Sequence, residues 1–459
     1  MIVMKFGGTS VENATAISRA AKIVASRVAE NPVVVVSAMA KVTDQLVAMA
    51  NYAGRGDAET ALDFSRKLRA RHIETVTELL GSAKVKDFLS ALESDFNALD
   101  DLVRGICAVG EITPRTTDNI LSFGERVNSK IVAAAFATLG VNAAHVDSRE
   151  CIVTDNQFTR AIPQFDATND RLAMRVRPLL SKGMVPVMGG FIGATREGIV
   201  TTVGRGGSDF SAAIVGAGLD ATRIEIWTDV DGMKTTDPNI CPNALRIKTI
   251  AFEEAAELAY FGAKVLHPST LLPAVQKNIP VLVLNSRNPG NEGTRILARA
   301  THCRNPFKAI AAKKRITIID IVATRMLGAH GFLRAVFEVF DHHHCAVDVV
   351  STSEVSVSLT VDSNESIPAL AADLEKLGDV KYEGRKAIVC MVGENIRETP
   401  GVAAKVFGAI ADTNVRMISQ GASEINLTFV VEEEDVPQVV RQLHDVFFAD
   451  PDPEVFAYA

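Results

Sequence analysis

Apolar and polar positions fall into two regimes along the chain. From residue 1 to about 295, short apolar strand candidates, several of them apolar at nearly every position, alternate with longer stretches at helical spacing; the candidates are Ile2 to Phe6, Pro32 to Ala38, Val185 to Met188, Arg223 to Trp227 and Ile279 to Leu284. This alternation predicts an α/β sheet with helices on both faces, and unbroken runs such as Val33-Val34-Val35-Val36 predict strands buried on both sides. Between about 40 and 140 the pattern turns helical, with Leu, Phe and Ala spaced among charges, which suits a cap or an oligomer surface.

The second regime begins after a polar, turn-rich stretch, Ser286-Arg287-Asn288-Pro289-Gly290-Asn291-Glu292-Gly293-Thr294, followed by Arg304-Asn305-Pro306. The expected organisation is therefore a domain over 1–295, a linker over 296–312, and two smaller units over 313–384 and 385–459, the second open to interleaving with the first. The two units are copies. Gly331, Phe332, Leu333, Val336, Phe337 and Phe340 return 70 residues later as Gly401, Val402, Ala403, Val406, Phe407 and Ile410, and Ser353-Glu354 returns as Ser423-Glu424. Each copy reads strand, helix, strand, strand, helix, strand, which resembles ACT modules, small domains that bind amino acids at the interface of a pair. A repeated apolar face is equally plain core packing, so the repeat establishes duplication and not a ligand site.

Composition narrows the class. At 459 residues, with 47% hydrophobic and 22% charged positions, the chain is a globular protein of about three domains on a prior of roughly 150 residues each. Its formal net charge is −7 and its basic residues are dispersed, so the footprint of a nucleic-acid binder is missing. The cysteines, Cys107, Cys151, Cys241, Cys303, Cys345 and Cys390, are too far apart for a zinc or redox motif and read as reduced, packed thiols. The N-terminus runs straight into strand-like sequence and no stretch has about 18 uninterrupted apolar residues, so a soluble cytoplasmic protein without membrane partners is expected.

Four segments carry residues suited to phosphate and carboxylate chemistry. Val3-Met4-Lys5-Phe6-Gly7-Gly8-Thr9-Ser10-Val11 puts a lysine at a strand end, before two glycines and two hydroxyl residues. The lysine can lie along phosphates as a point charge, and the glycines let backbone N–H groups approach them. The spacing is not that of the Walker loop, and Lys-Phe-Gly-Gly alone is equally a turn. Gly204-Arg205-Gly206-Gly207-Ser208-Asp209-Phe210 opens a predicted helix; backbone donors there suit anions and an arginine can grip a carboxylate, although Asp209 seen alone is also an N-cap. Ile226-Trp227-Thr228-Asp229-Val230-Asp231-Gly232, with Thr235-Thr236-Asp237-Pro238 after it, collects hydroxyls and carboxylates where a strand ends, the usual place for ligands in open α/β sheets. Phe261-Gly262-Ala263-Lys264-Val265-Leu266-His267-Pro268 adds a second lysine; His267 reads as structural, because an acceptor carboxylate is already ionised near neutral pH and needs no general base.

Together these segments resemble those of aspartate kinases, in the same order and over almost the whole chain. The resemblance implies a three-layer αβα amino-acid-kinase fold followed by a pair of α+β (βαββαβ) ACT domains. It implies transfer of the γ-phosphate of ATP, taken as MgATP, to the β-carboxylate of L-aspartate, giving 4-phospho-L-aspartate at the start of lysine, threonine and methionine biosynthesis. Residue by residue it implies Lys5, Asp209 and Lys264 as catalytic groups, and Lys5, Gly7, Gly8, Thr228, Asp229, Lys234 and Lys264 around ATP. Ser37, Thr43, Glu125, Arg205 and Ser208 would surround aspartate, with Glu125 facing its ammonium; taken singly, Ser37, Thr43 and Glu125 also read as caps, turns or solvated residues. Lys234 stands where lysine-sensitive relatives carry a tyrosine, and Asn239 where a basic residue is common. No protein metal ligands are implied. Met326, Phe332, Leu333, Val347, Asp348, Ser353 and Glu354 match positions that bind lysine in lysine-inhibited relatives, with Ala329 in place of a serine found in some. Lysine is thus the expected effector and threonine the second candidate, in a homo-oligomer, dimer or tetramer, joined through the ACT domains. Competing classes are a non-catalytic amino-acid sensor and a kinase of the same fold acting on glutamate, acetylglutamate, carbamate or a nucleotide; a fused homoserine dehydrogenase is not expected, because no dinucleotide fingerprint follows the repeat.

Overall fold

The computed structural model describes residues 1–262, 268–323, 330–364 and 366–458. The chain divides into two compact units, residues 1–233 with 265–299, and residues 234–264 with 300–459.

In the first unit the strands are β1 (Ile2–Phe6), β2 (Pro32–Val36), β3 (Ala143–Val146), β4 (Val185–Gly189), β5 (Ile192–Ala194), β6 (Val200–Thr202), β7 (Ile224–Thr228), β8 (Val281–Asn285) and β9 (Thr294–Leu297). The main sheet runs β3-β4-β2-β1-β7-β8-β9, parallel from β3 to β8, with β9 antiparallel to β8. Every residue of β1, β2 and β4 is buried, as the unbroken apolar runs require. β3 escapes the pattern because its Ala143, Ala144 and His145 are only partly covered or exposed. Phe6 is level with Val36 and Trp227, and Val36 with Gly189, so β1, β2, β4 and β7 all end at one edge of the sheet. At the other edge Arg223 is consumed by Glu30 and Glu225 in an ion-pair cluster.

The helical excursion comprises Val42–Gly54, Ala58–Leu79, Ser82–Val109, Pro114–Leu121 and Phe123–Thr138. Phe96 meets Phe123 edge to face at 4.8 Å, and both rings join the core formed by β1, β2 and the first helix, Ala14–Ala25. Burying each such ring contributes roughly 1.5–3 kcal/mol. That packing fixes the start of the helix Phe123–Thr138.

The second unit is built on one antiparallel sheet of β10 (Phe307–Val322), β11 (Val347–Thr352), β12 (Ser356–Asp362), β13 (Asp379–Gly393), β14 (Met417–Gln420) and β15 (Asn426–Glu432), in the order β11-β12-β10-β13-β15-β14. β10 and β13 run through both copies of the repeat. Each turns at a residue of positive φ, Arg315 (59°) and Arg385 (58°), and the pairing register shifts between Lys313 and Ile316. Residues 316–322 lie beside β12, while residues 386–392 pair with β15, with 307–313 on their other side. The second copy therefore takes its last strand from residues 307–313, ahead of the first copy. The final strand expected after the helix Val436–Phe447 does not form there: the chain turns through Pro451 and Pro453, and Phe456 pairs with Ile247.

The sequence reading ran its first domain unbroken to residue 295, whereas residues 234–264 lie in the second compact unit. Buried apolar side chains such as Ile247, Ile250 and Leu258 hold them, together with buried polar contacts. Lys308 pairs with Glu254 at 2.9 Å, and Thr235 meets His444 at 2.9 Å.

Candidate active site

The carboxyl-end edge of the first unit gathers the charged residues. Lys5 is the fourth residue of β1 and lies almost wholly inside. An unpaired ammonium there would cost several kcal/mol in desolvation, and Asp209 offsets it, with Nζ 2.7 Å from Oδ1. The contact is an ion pair without hydrogen-bond alignment, so Asp209 Oδ1 keeps free accepting capacity.

Asp209 sits in the first turn of the helix Gly207–Gly218, not at its cap. The N-cap is Gly206, whose φ of 67° is left-handed and suits glycine. The backbone N–H of Asp209 donates to Gly206 O at 2.9 Å, and Ser211 locks the turn by donating to Gly207 O and accepting from the Phe191 N–H. Ser208 lies directly against Gly190, where a Cβ would come within 2.7 Å of Ser208 Cα; only glycine lets the end of β4 approach the helix so closely. Arg205, one residue ahead of the Gly206 cap, is exposed and pairs with no carboxylate among the described residues.

Glu125 is the third residue of the helix Phe123–Thr138 and is buried. Burial pushes its carboxyl up to about 7, against the opposing pull of the Ala38 N–H and the charge on Lys5. Its Oε2 has no partner among the described residues. Ser37 follows β2, its N–H donating to Phe6 O at 3.1 Å, and its carbonyl accepts from Asn128 Nδ2 at 2.7 Å. Gly7 donates to Trp227 O and Gly8 accepts from Ala40, so the loops after β1, β2 and β7 are stitched together. Thr43 is half-buried at the start of the helix Val42–Gly54.

Two supporting residues escaped the sequence reading. Asn128 is one helical turn beyond Glu125, and that spacing was the available signal. Asp118 is buried and accepts from the Thr159 N–H and from both the N–H and the hydroxyl of Thr202, tying the β5–β6 hairpin to the helix Pro114–Leu121. Its role is to hold backbone, which leaves no local motif.

At the end of β7, Thr228 Oγ1 donates to Asp229 Oδ1 at 3.2 Å, and the Thr228 carbonyl accepts from Ser286 Oγ at 3.0 Å. Ser10 joins Ser286 at 2.8 Å, and Asn285 donates to Asp231 at 2.8 Å. Lys234, expected near ATP, belongs to the second unit, where it bridges to Arg246. Lys264 lies outside the described residues. Among the described residues no group of three or more His, Cys, Asp or Glu could hold a metal ion.

Known proteins resemble this chain over nearly its whole length. Residues 1–285 match the amino acid kinase family and residues 389–447 an ACT domain. The lysine-sensitive aspartokinase 3 of Escherichia coli is 38% identical over 98% of this chain and 99% of its own length. The chain belongs to the aspartokinases. Chloroplastic aspartokinase 2 of Arabidopsis thaliana is also 38% identical, over 98% of this chain and 85% of its own. E. coli aspartokinase III in complex with aspartate and ADP, described as the R-state, superposes with a TM-score of 0.85 at 36% identity, covering 98% of this chain and all of that one. The same enzyme with lysine and aspartate, the T-state, gives 0.83 at 37% identity, covering 98% and 99%. This aspartokinase is accordingly a kinase with an ACT regulatory domain, and no helix among its described residues is long and apolar enough to cross a membrane.

In the second unit of this aspartokinase, Phe332 and Leu333 open the helix Phe332–His342, and Val347 and Asp348 open β11. Ser353 shares a hydrogen bond with Ser356, and Glu354 is exposed. Met326 lies outside the described residues. Asp348 already has partners: Lys313 Nζ at 2.8 and 2.9 Å and the Tyr260 hydroxyl at 2.6 Å.

Proposed function

We propose that this aspartokinase transfers the γ-phosphate of MgATP to the β-carboxylate of L-aspartate, and that lysine inhibits it, with threonine as the second candidate effector. A β-carboxylate oxygen attacks the γ-phosphorus, an O–P bond forms, and the bond from that phosphorus to the bridging oxygen breaks to release ADP. The products are 4-phospho-L-aspartate and ADP, and the step opens lysine, threonine and methionine biosynthesis. The magnesium ion arrives with the phosphates as part of the substrate, the usual mode for an ion that keeps several waters.

The observation that carries this reading is the unpartnered, buried Oε2 of Glu125 on the same sheet edge as the Lys5–Asp209 pair. Such an oxygen costs stability while empty, and a ligand ammonium recovers that cost. Glu125 binds the α-ammonium of aspartate; Arg205, Ser37, Thr43 and Ser208 hold its carboxylates. Lys5, oriented by Asp209, neutralises the transferred phosphoryl group, with Lys264 as the second lysine. Gly7, Gly8, Thr228 and Asp229 receive the nucleotide. Catalysis on this reading is positioning and charge stabilisation, since the nucleophile is already ionised.

The test is a coupled ADP-release assay with aspartate varied. Glu125→Ala loses a charge-assisted contact worth about 2 kcal/mol, so the aspartate KM should rise about 30-fold with the ATP KM nearly unchanged. An unchanged aspartate KM would remove Glu125 from the substrate site.

A further inference from the structure

The helix Phe252–Tyr260 is held to the sheet of its unit at both ends, by contacts of different character. Near its start Glu254 and Lys308 form a pair whose side chains are 3% and 2% exposed, and the same carboxylate caps the helix by accepting from the Ala251 N–H. A pair so enclosed is costly to open. At its end the Tyr260 hydroxyl donates to Asp348 Oδ1 at 2.6 Å, and Tyr260 itself is 46% exposed. Burial, reinforced by the hydrogen bond to Asp348, holds the phenol above its ordinary range, so it remains an O–H donor.

The acceptor is shared. Lys313 Nζ donates to both oxygens of Asp348, reaches Asp362 at 2.9 Å, and stands 5.4 Å from the Tyr260 ring centre. The Asp348 side chain is 3% exposed, whereas Asp362 is 68% exposed. Lys313 therefore has a second, solvent-facing carboxylate to fall back on if another cation takes Asp348. The chain just beyond Tyr260 is seated on the same point of β10: Gly262 has φ 125°, and a Cβ there would meet Ala312 O at 2.6 Å. Lys264 follows two residues later in the sequence.

We propose that the Tyr260–Asp348 hydrogen bond is a regulatory clasp: it ties the helix leading to Lys264 to the strand carrying Asp348, and a small-molecule ammonium taken up by Asp348 breaks it and lowers turnover. Asp348 is suited to that ligand because it already holds an ammonium, and Tyr260 to that release because its end of the helix is the half-exposed one. Tyr260 is thus a positioning residue whose hydroxyl competes with the effector for one carboxylate oxygen. The inference rests on the proposed kinase reading and on lysine as effector.

The test uses the full-length enzyme, with lysine as the probe, binding followed by calorimetry and turnover by ADP release. Tyr260→Phe keeps the ring and deletes the donor. Without lysine its kcat should fall about 5-fold, a loss of the size expected for one modest hydrogen bond, with both KM values within 2-fold and the thermal midpoint unmoved. Lysine should still bind this variant yet inhibit it less than 2-fold further. Asp348→Asn should lose lysine binding as well, and combining the two changes should lower kcat no more than Asp348→Asn alone, as coupled neighbours do. Wild-type kcat with wild-type inhibition in Tyr260→Phe would overturn the clasp, as would additive losses in the double variant. Wild-type enzyme that phosphorylates aspartate but takes up no lysine would overturn the effector half alone, and enzyme that does not phosphorylate aspartate would overturn the underlying reading.

Discussion

Two buried carboxylates, one in each unit, are provisioned in opposite ways. Glu125 has an oxygen with no partner, and its carboxyl is pushed up to about 7 by burial. Asp348, equally enclosed, has both oxygens occupied by Lys313 and one shared with Tyr260. An empty buried acceptor sacrifices fold stability until a ligand completes it; a filled one is stable alone and admits a ligand only by exchange. The first arrangement suits a substrate site, which must bind at every turnover. The second suits an effector site, which should respond only when the competing ammonium is abundant.

The comparison breaks most visibly at Lys5. Its ammonium is held against Asp209, and on the proposed mechanism it neutralises the transferred phosphoryl group, so Lys5→Met should lower kcat about 1,000-fold, the scale of removing a preorganised electrostatic contact. Circular dichroism should show the fold intact. Turnover near the wild-type level in that variant would take Lys5 out of the mechanism. The next effect is a pH dependence of binding. Glu125 must be ionised to receive an ammonium, and its carboxyl titrates at about 7 in the empty site. The aspartate KM should therefore rise about 10-fold for each unit by which the pH drops below 7 and be level above it, one ionisation governing the step. Glu125→Gln should flatten that profile as well as raise it, and a variant that keeps the slope would place the titration elsewhere.

Much of this fold is legible in the amino-acid sequence. Strands β2, β4 and β8 announce themselves because burial demands apolar runs, and β1 and β7 do so despite Lys5 and Glu225, while β3 does not, lying at an edge with alanines and His145. The candidate site of the proposed function was drawn from residues whose type is dictated by chemistry, and of these Lys5 and Asp209 do meet in the structure. The motifs were silent where a side chain serves backbone, as at Asn128 and Asp118. The duplication could be read from its 70-residue offset, and interleaving of the copies was left open by it, but which strands are exchanged could not be read, because the turns that permit it fall on Arg315 and Arg385 and not on glycine. The same offset sets Ile418 opposite Asp348, so only the first copy carries an acid at that position. The clasp itself was invisible, since Tyr260, Lys313 and Asp348 are distant in sequence and each is ordinary alone.

The smallest effect separates the two carboxylates most directly, because their neutral amides should move stability in opposite directions. The folded-state pKa of Glu125 lies above its unfolded value of about 4.5, so between roughly pH 4.5 and 7 the folded state binds more protons than the unfolded one. Stability contributed at this position therefore declines as pH rises through that window, and the cost is complete above 7. Glu125→Gln removes the cost and should stabilise the ligand-free enzyme by about 1–3 kcal/mol at pH 8, with no gain at pH 4.5. Asp348→Asn does the reverse: it strips Lys313 of its enclosed partner and leaves only exposed Asp362, a loss of about 1 kcal/mol at pH 8. Urea unfolding of the two variants at both pH values decides the matter. If both amides shift the midpoint the same way at pH 8, Glu125 and Asp348 are not the empty and filled acceptors described above, and the distinction between a substrate carboxylate and an exchangeable one falls with them.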